Sequence, residues 1–257
     1  LDRIAPLRLA ESWDKVGLHV GSESSRVRRA MVCIDLTEAV MAEAVAAKAN
    51  LILAYHPPIF RGLERLTDAT WKERLLVMAI RRKIAVYSPH TALDAAQGGV
   101  NDWLCSGFGK GSVVPMVPAD GEPAGSGTGR VVTLKRSVSL KTLALRIKQH
   151  LGLKHLTVVP PLGVPITRAK IRTAGVCVGA GGGLFSQQQP KTDVLVTGEM
   201  RHHDMLDASC RGQSVLVAGH TETERPYLPH YIKRLRAEMP DLTWRQSRAD
   251  ASPMLVV

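Results

Sequence analysis

The 257-residue chain carries 34 lysines and arginines against 23 aspartates and glutamates, a formal net charge of +11, and 45% of its residues are hydrophobic. This length and composition indicate a globular protein with room for one large α/β domain or two intertwined ones, and no stretch approaches the roughly 18 uninterrupted apolar residues of a membrane helix. The positive charge is dispersed in short clusters and aromatic residues make up only 4% of the chain, so the base-stacking platform of single-strand nucleic-acid binders is not indicated.

The predicted elements of the first half alternate between buried strands and amphipathic helices, as is typical of a parallel α/β sheet. In chain order they are a strand over 28–35, a helix over 38–49 capped by Thr37, a strand from Leu51, a helix after the capping box Thr70-Trp-Lys-Glu73, a strand over 84–90 and a short helix over 100–108.

Residues 119–129 are rich in small and turn residues and predict the linker between an N-terminal half, residues 1–118, and a C-terminal half, residues 130–257. The second half repeats the alternation of strands and helices. In chain order the predictions are a strand over 130–134, a helix over 139–151, strands over 155–159, 174–179, 193–197 and 215–220, a helix over 227–238 and a strand over 242–247.

The glycine-rich segment from Gly179 to Gly183 does not match a nucleotide-binding fingerprint. Leu184 occupies the last glycine position of GxGxxG, and the segment contains no Walker lysine. We interpret it as a tight turn that brings backbone close to a ligand or a neighbouring chain, with anion binding by its backbone amides as the alternative.

A histidine follows three of the predicted strands. These histidines are His56, His90 and His220, and Asp94 and Glu224 each lie four residues beyond one of them. Because sites in open α/β sheets form beyond the carboxyl ends of the strands, the pattern predicts one convergent His/carboxylate metal site. The alternative is that these are ordinary core or loop histidines with satisfied hydrogen bonds.

Imidazole and carboxylate ligands suit zinc, iron or manganese, and such a set could hold one or two ions per chain. A bound ion lowers the pKa of water, which makes hydrolysis of an ester, phosphoester or amidine-like carbon the default enzymatic hypothesis. No GxSxG motif is present, which argues against serine hydrolase chemistry.

The four cysteines, at positions 33, 105, 177 and 210, are widely spaced and form no CxxC pair. This spacing argues against a disulfide framework and a cysteine-rich zinc site, and it favours a reducing compartment. We therefore expect a cytoplasmic protein, with the nucleus as a second compartment. Because the sequence starts at Leu1 rather than methionine, a removed organelle-targeting segment stays open.

Six ordered motifs carry a resemblance to a known family. They are AESWDKVGLHVG, AYHPPIF, YSPHTALD followed by GGVNDWL, VCVGAGGGLF, TDVLVTGEMRHHDMLDA and AGHTETERP. From about Leu9 to its end the chain resembles the NIF-three-like proteins, whose bacterial members are often labelled GTP cyclohydrolase type 2 homologues. The YHPPIF form is similar to the eukaryotic members.

The resemblance implies an α/β fold of two intertwined domains with mixed or parallel sheets flanked by helices. It also implies a homo-oligomer, either a dimer or a toroidal hexamer, with a pair of divalent ions in each subunit. The family's metal ligands match four positions of this chain: His56, Asp94, His220 and Glu224. His90 matches a family histidine that lies at the site as a ligand or a neighbouring group.

Tyr55 stands where the resembled family has the first histidine of a His-His pair. A phenol, with a pKa of about 10, is a poor metal ligand, so this replacement implies that one of the two ion positions is weakened or lost. Tyr55 and His90 are then the candidates for handling protons.

The expected function is that of a divalent-metal-binding protein, and as an enzyme a metal-dependent hydrolase acting on a nucleotide or similar phosphorylated small molecule. The alternative is a non-catalytic oligomeric scaffold for regulatory proteins, since the resembled eukaryotic members are linked to transcription. Nucleic acid binding by a basic ring is a weaker third hypothesis that depends on the net charge of +11. We expect no membrane partner.

Overall fold

A computed structural model describes residues 1–122, 124–188 and 191–254, and their secondary structure is mixed α/β. The strands are β1 (Gly17–Val20), β2 (Arg29–Cys33), β3 (Leu51–Ala54), β4 (Ala85–Ser88), β5 (Gly111–Pro118), β6 (Gly127–Ser139), β7 (Thr157–Val159), β8 (Lys170–Cys177), β9 (Val194–Thr197), β10 (Ser214–Val217) and β11 (Thr243–Gln246). The α-helices are α1 (Glu38–Ala46), α2 (Trp71–Arg81), α3 (His90–Ala95), α4 (Val100–Ser106), α5 (Leu140–His150), α6 (Gly182–Gln188), α7 (His202–Cys210) and α8 (Leu228–Glu238).

The helix starts follow the capping signals of the sequence. Thr37, Thr70 and Ser139 cap α1, α2 and α5, and each side-chain oxygen accepts a hydrogen bond from the backbone N–H three residues on. Helix α1 ends three residues before its predicted end, because Lys48 adopts a left-handed conformation (φ +54°) that cannot continue the helix.

The described residues fall into two compact units. The first contains residues 1–93 and 228–254, so both ends of the chain contribute to it, and the second is Asp94–Tyr227. This division differs from the expected boundary at 119–129. Strands β5 and β6 pair antiparallel as a hairpin inside the second unit. The described residues of the predicted linker, 119–122 and 124–129, therefore lie between these two strands or at the start of β6.

Strand β5 is absent from the sequence-based prediction because it contains Pro115 and Pro118. Proline lacks the N–H that a central strand needs for both of its neighbours, but it is tolerated in an edge strand. Strand β5 lies at the edge of its sheet, beside β6, which explains why it accommodates both prolines.

The sheet of the first unit has the strand order β1-β4-β3-β2-β11. Strand β1 runs antiparallel to β4, and the other neighbours are parallel. All four residues of β3 are buried, as expected for a parallel strand covered on both faces. Met31, Ile52 and Val86 from three adjacent strands pack with Val40 of α1 and Leu75 of α2 to form the core.

The sheet of the second unit has the strand order β5-β6-β8-β9-β10-β7. Strands β8, β9 and β10 are parallel, and β5, β6 and β7 pair antiparallel with their neighbours. Leu195 and Val215 of the parallel strands pack with Phe185 of α6 and Ala208 of α7. The expected fold class, α/β with mixed sheets flanked by helices, is confirmed.

Among the described residues, no helix has the length and hydrophobicity needed to cross a membrane.

Candidate metal centre

In the first unit, two of the candidate histidines follow the carboxyl ends of adjacent parallel strands. Tyr55 and His56 come directly after β3, and His90 comes two residues after the end of β4. The ring centroids of His56 and His90 are 5.5 Å apart, and the ring of Tyr55 lies 5.1 Å and 5.7 Å from them. Tyr55 is buried, whereas both histidines are partly accessible. The parallel pairing therefore brings these three side chains together.

Both of these histidines have their Nδ1 atom bonded to a carboxylate. Asp35 lies 2.8 Å from His56 Nδ1, and Asp14 lies 2.7 Å from His90 Nδ1. An ionised carboxylate only accepts hydrogen bonds, so Nδ1 of each ring carries the proton that it donates. Nε2 is then the nitrogen of each ring with the lone pair that a metal ion or an acid needs.

The carboxylate of Asp14 holds the ring of His90 in place through its hydrogen bond with Nδ1. Burial by itself would raise the pKa of Asp14, but the hydrogen bonds that its carboxylate accepts from His90 and Thr91 outweigh burial and lower that pKa to about 2. The carboxylate also accepts from the backbone N–H groups of Thr91 and Lys15. His90 itself has a φ of +30°, a strained value for a residue with a side chain, and such strain is typical of functional positions.

In the second unit, His220 and Glu224 lie just beyond the carboxyl end of β10. His220 Nε2 is 3.4 Å from Glu224 Oε1, and His220 Nδ1 is 3.1 Å from Glu199 Oε1. Glu224 is only 3% exposed. His220 therefore lies between two carboxylates, one beside each ring nitrogen. Imidazole and carboxylate groups together form a donor set that suits a divalent cation.

The glycine turn packs its backbone directly against this pair. Gly179 has a φ of +60°, and a Cβ atom built on it would lie 2.7 Å from Glu224 Oε1 and 3.1 Å from His220 Nε2. A larger residue would therefore occupy the space beside both ligand atoms. The backbone at Gly179 thus approaches side chains of its own chain, and the predicted turn is shorter than expected because Gly182 and Gly183 begin α6. Its approach to a ligand or a neighbouring chain stays a prediction.

Asp94 lies in α3 and is half-buried. Its backbone carbonyl accepts a hydrogen bond of 3.2 Å from Asn101 Nδ2. The role of its carboxylate as a metal ligand stays a prediction.

The carboxylates beside the Nδ1 atoms of the three histidines are missing from the sequence-based prediction. Asp35 and Glu199 each lie two residues beyond the end of a strand, β2 and β9, so the rule that found the histidines could have found them too. Asp14 carries no such signal, because it follows a 3-10 turn and meets His90 only through the tertiary fold. His202 and His203, at the start of α7, are both exposed.

The comparisons with known proteins agree on one family. The model of the Duf34/NIF3 (NGG1p interacting factor 3) family matches residues 1–253. "NIF3-like protein 1" of Drosophila melanogaster is 36% identical over 262 residues, covering 100% of this chain and 87% of the relative. "NGG1-interacting factor 3" of Saccharomyces cerevisiae is 35% identical over 252 residues, covering 91% of this chain and 87% of the relative.

The solved structures show the same fold. The Staphylococcus aureus protein SA1388 superimposes with a TM-score of 0.85 at 24% identity, and the match covers 100% of this chain and 96% of that one. The resemblance expected from the six motifs is thereby confirmed over nearly the whole sequence. The chain belongs to the Duf34/NIF3 family.

Proposed function

We propose that the protein is a metal-dependent hydrolase acting on a nucleotide-like or other phosphorylated small molecule. The observation that supports this most is the carboxylate beside the Nδ1 atom of each of His56, His90 and His220. Carboxylates in this position fix the tautomer of metal-binding histidines and raise the basicity of their other nitrogen.

The proposed metal ligands are His56, Asp94, His220 and Glu224. The imidazole and carboxylate donors of His56, His220 and Glu224 fit zinc, iron or manganese. The glycine at position 179 leaves the space beside His220 and Glu224 that an added Cβ would fill. When bound, a divalent ion would supply Lewis acidity for the bond to be cleaved and favour deprotonation of water near neutral pH.

Within this proposal, His90 and Tyr55 handle protons. Asp14 holds the imidazole of His90 by its Nδ1–H, so that Nε2 can accept a proton from the attacking water and return it to the leaving group. Tyr55 is fixed by the hydrogen bond of 2.7 Å that its backbone carbonyl accepts from Ser88 Oγ. Its ring lies 5.7 Å from that of His90, and on this proximity of the two rings we propose Tyr55 as the second proton-handling residue.

The metal content of protein purified without chelator or affinity tag tests the site. We expect about one divalent ion per chain in the wild type and an increase toward two in Tyr55→His, because the imidazole restores a ligand that the phenol replaces poorly. The ions are counted by mass spectrometry of the eluted protein. No bound metal in either protein would contradict the proposal. Two ions in the wild type would show that Tyr55 does not weaken a position.

Asp35→Asn is expected to weaken metal binding by roughly 10–100-fold, the usual cost of removing a carboxylate partner of a ligand histidine. The amide keeps the shape of the side chain but loses the charge that orients His56. Competition with a metal-sensitive dye measures the affinity. Asp68→Asn, the same change in an exposed loop, serves as the control, and equal affinities for both variants would speak against a ligand role for His56.

A second candidate function is an oligomeric scaffold for regulatory proteins, in the cytoplasm or the nucleus. It is favoured by the name of the yeast relative, which describes that protein as an interacting factor, and by Tyr55 at the expected ligand position. The two candidates separate in a chelator experiment. An enzyme loses all turnover of a nucleotide panel when the metal is removed, whereas a scaffold keeps its dimeric or hexameric state and its partners.

A further inference from the structure

Two large aromatic side chains in the first unit are exposed beside each other. Trp13 is 55% exposed and Phe60 is 42% exposed, and their ring centroids lie 6.1 Å apart at an interplanar angle of 61°. Tryptophan is highly buried on average, so a tryptophan that shows half of its surface to water needs an explanation. Together the two rings present an apolar edge and face rather than a flat patch.

The position of Trp13 is fixed by its neighbour. Asp14 is buried, and its carboxylate bonds to His90 Nδ1 and to the backbone N–H groups of Thr91 and Lys15. The backbone N–H of Glu11 in turn donates to Thr91 Oγ1 at 3.1 Å. The turn that carries Trp13 is therefore tied to the start of α3 at several points. A rigid, exposed aromatic ring is a preorganised binding surface, because little conformational entropy remains to be lost when a ligand packs on it.

The exposed rings lead directly to the proton-handling histidine. The ring of Trp13 lies 6.2 Å from that of His90 at an interplanar angle of 80°, and His90 lies 5.5 Å from His56. A planar group that packs against Trp13 would thus lie next to His90. Arg61 follows Phe60, and Lys15 lies two residues after Trp13, so each aromatic residue has a positively charged residue close to it in the sequence.

We propose that Trp13 and Phe60 form a binding subsite for the planar heteroaromatic ring of the substrate, a nucleobase-like group that carries a phosphorylated substituent. This assignment deepens the proposed function and rests on it for the reaction, but the binding of the ring requires no metal. Two rings suffice for a single base, in agreement with the absence of a multi-base platform in a chain with 4% aromatic residues.

The test is calorimetric binding of adenosine 5′-monophosphate and of ribose 5-phosphate, which lacks the ring, to metal-free and metal-loaded protein. We expect Trp13→Leu to weaken binding of the nucleotide by about tenfold or more, the usual effect of losing one base-aromatic stack, and to leave ribose 5-phosphate unchanged. Trp13→Phe should restore most of the affinity because it keeps a stacking face. Near-ultraviolet circular dichroism confirms that each variant is folded.

Leu145→Ala is the comparison, because Leu145 is 55% exposed, as Trp13 is, but lies on α5 of the second unit. It should bind the nucleotide as the wild type does. Equal loss in Trp13→Leu and Leu145→Ala, loss in Leu145→Ala alone, or no nucleotide binding by the wild type at millimolar concentration would overturn the proposal.

Two further measurements would identify a different binding partner of Trp13 and Phe60. Tighter binding of a single-stranded hexanucleotide than of the mononucleotide, with a steep salt dependence, would overturn the small-molecule assignment in favour of nucleic acid. A Trp13→Leu variant that dissociates in sedimentation runs but binds nucleotide normally would place a second copy of the chain on these rings. If the protein binds the nucleotide through Trp13 but hydrolyses no substrate, the subsite is supported and the proposed hydrolase function is contradicted. Failure of one proposal can therefore be told apart from failure of the other.

Discussion

Glu224→Gln is expected to lower metal affinity and metal-dependent turnover by at least about 100-fold, more than the loss of a carboxylate that only orients a ligand. Glu224 is 3% exposed and its Oε1 atom lies 3.4 Å from His220 Nε2. A water molecule therefore has little room to take the place of the carboxylate as a ligand. The amide has nearly the same shape, and packing is therefore kept. What is lost is the negative charge that, in the proposed site, would balance a divalent cation in surroundings of low dielectric constant.

Metal retained after gel filtration and turnover of the nucleotide panel are the two readouts for Glu224→Gln, and the melting temperature reports on folding. Glu238→Gln, the same chemical change on an exposed residue in the last turn of α8, is the control and should match the wild type. Retention of metal by Glu224→Gln at the wild-type level would remove this residue from the ligand set. A fall in melting temperature without a change in metal content would assign Glu224 a structural role.

Arg130→Met is expected to destabilise the protein by roughly 3–5 kcal/mol, the usual cost of breaking a buried ion pair. Arg130 is 1% exposed, and its guanidinium pairs with Asp102. It also donates to four backbone carbonyls, two in β6 and two at the C-terminal end of α3: those of Gly127, Gly129, Ala95 and Ala96. Methionine fills similar space but donates nothing, so the carboxylate and the carbonyls lose their partner.

Urea unfolding of Arg130→Met and Arg136→Met measures this difference. Arg136 lies on the same strand but is exposed, so its replacement should change the free energy of unfolding by less than about 0.5 kcal/mol. Equal midpoints for the two variants would contradict the structural role of Arg130. Because Ala95 and Ala96 directly follow Asp94, we also expect Arg130→Met to weaken metal binding if Asp94 is a ligand.

Local signals were sufficient to predict most of the elements. The capping residues Thr37, Thr70 and Ser139 begin helices as predicted, and the apolar runs before His56, His90 and His220 are strands. These signals work because a cap or a buried parallel strand depends on residues close together in sequence. The same signals did not predict the hairpin of β5 and β6. Its pairing depends on the strand order of the sheet, and its prolines are tolerated because β5 lies at the edge.

For the candidate site, the sequence predicted the histidines that could bind a metal ion but not the carboxylates that hold the histidine rings. A histidine at the end of an apolar strand is visible in the sequence, whereas Asp14 lies 76 residues from its partner His90. No local pattern relates two residues so far apart. The same holds for Arg130, which bonds to Asp102 and Ala95 through the packing of β6 against α3 and α4.

The sequence by itself determined the family, the α/β class, the starts of α1, α2 and α5 and the residue types that suit a divalent metal, because motifs, caps and hydrophobic periods are local. Only the tertiary structure decided which nitrogen of His56 and His90 is engaged by a carboxylate, that Gly179 leaves space beside His220, and that Trp13 is held exposed. The physical reason is that each of these features is a contact between segments distant in the chain. Such contacts are fixed by sheet order and core packing rather than by the preferences of single residues.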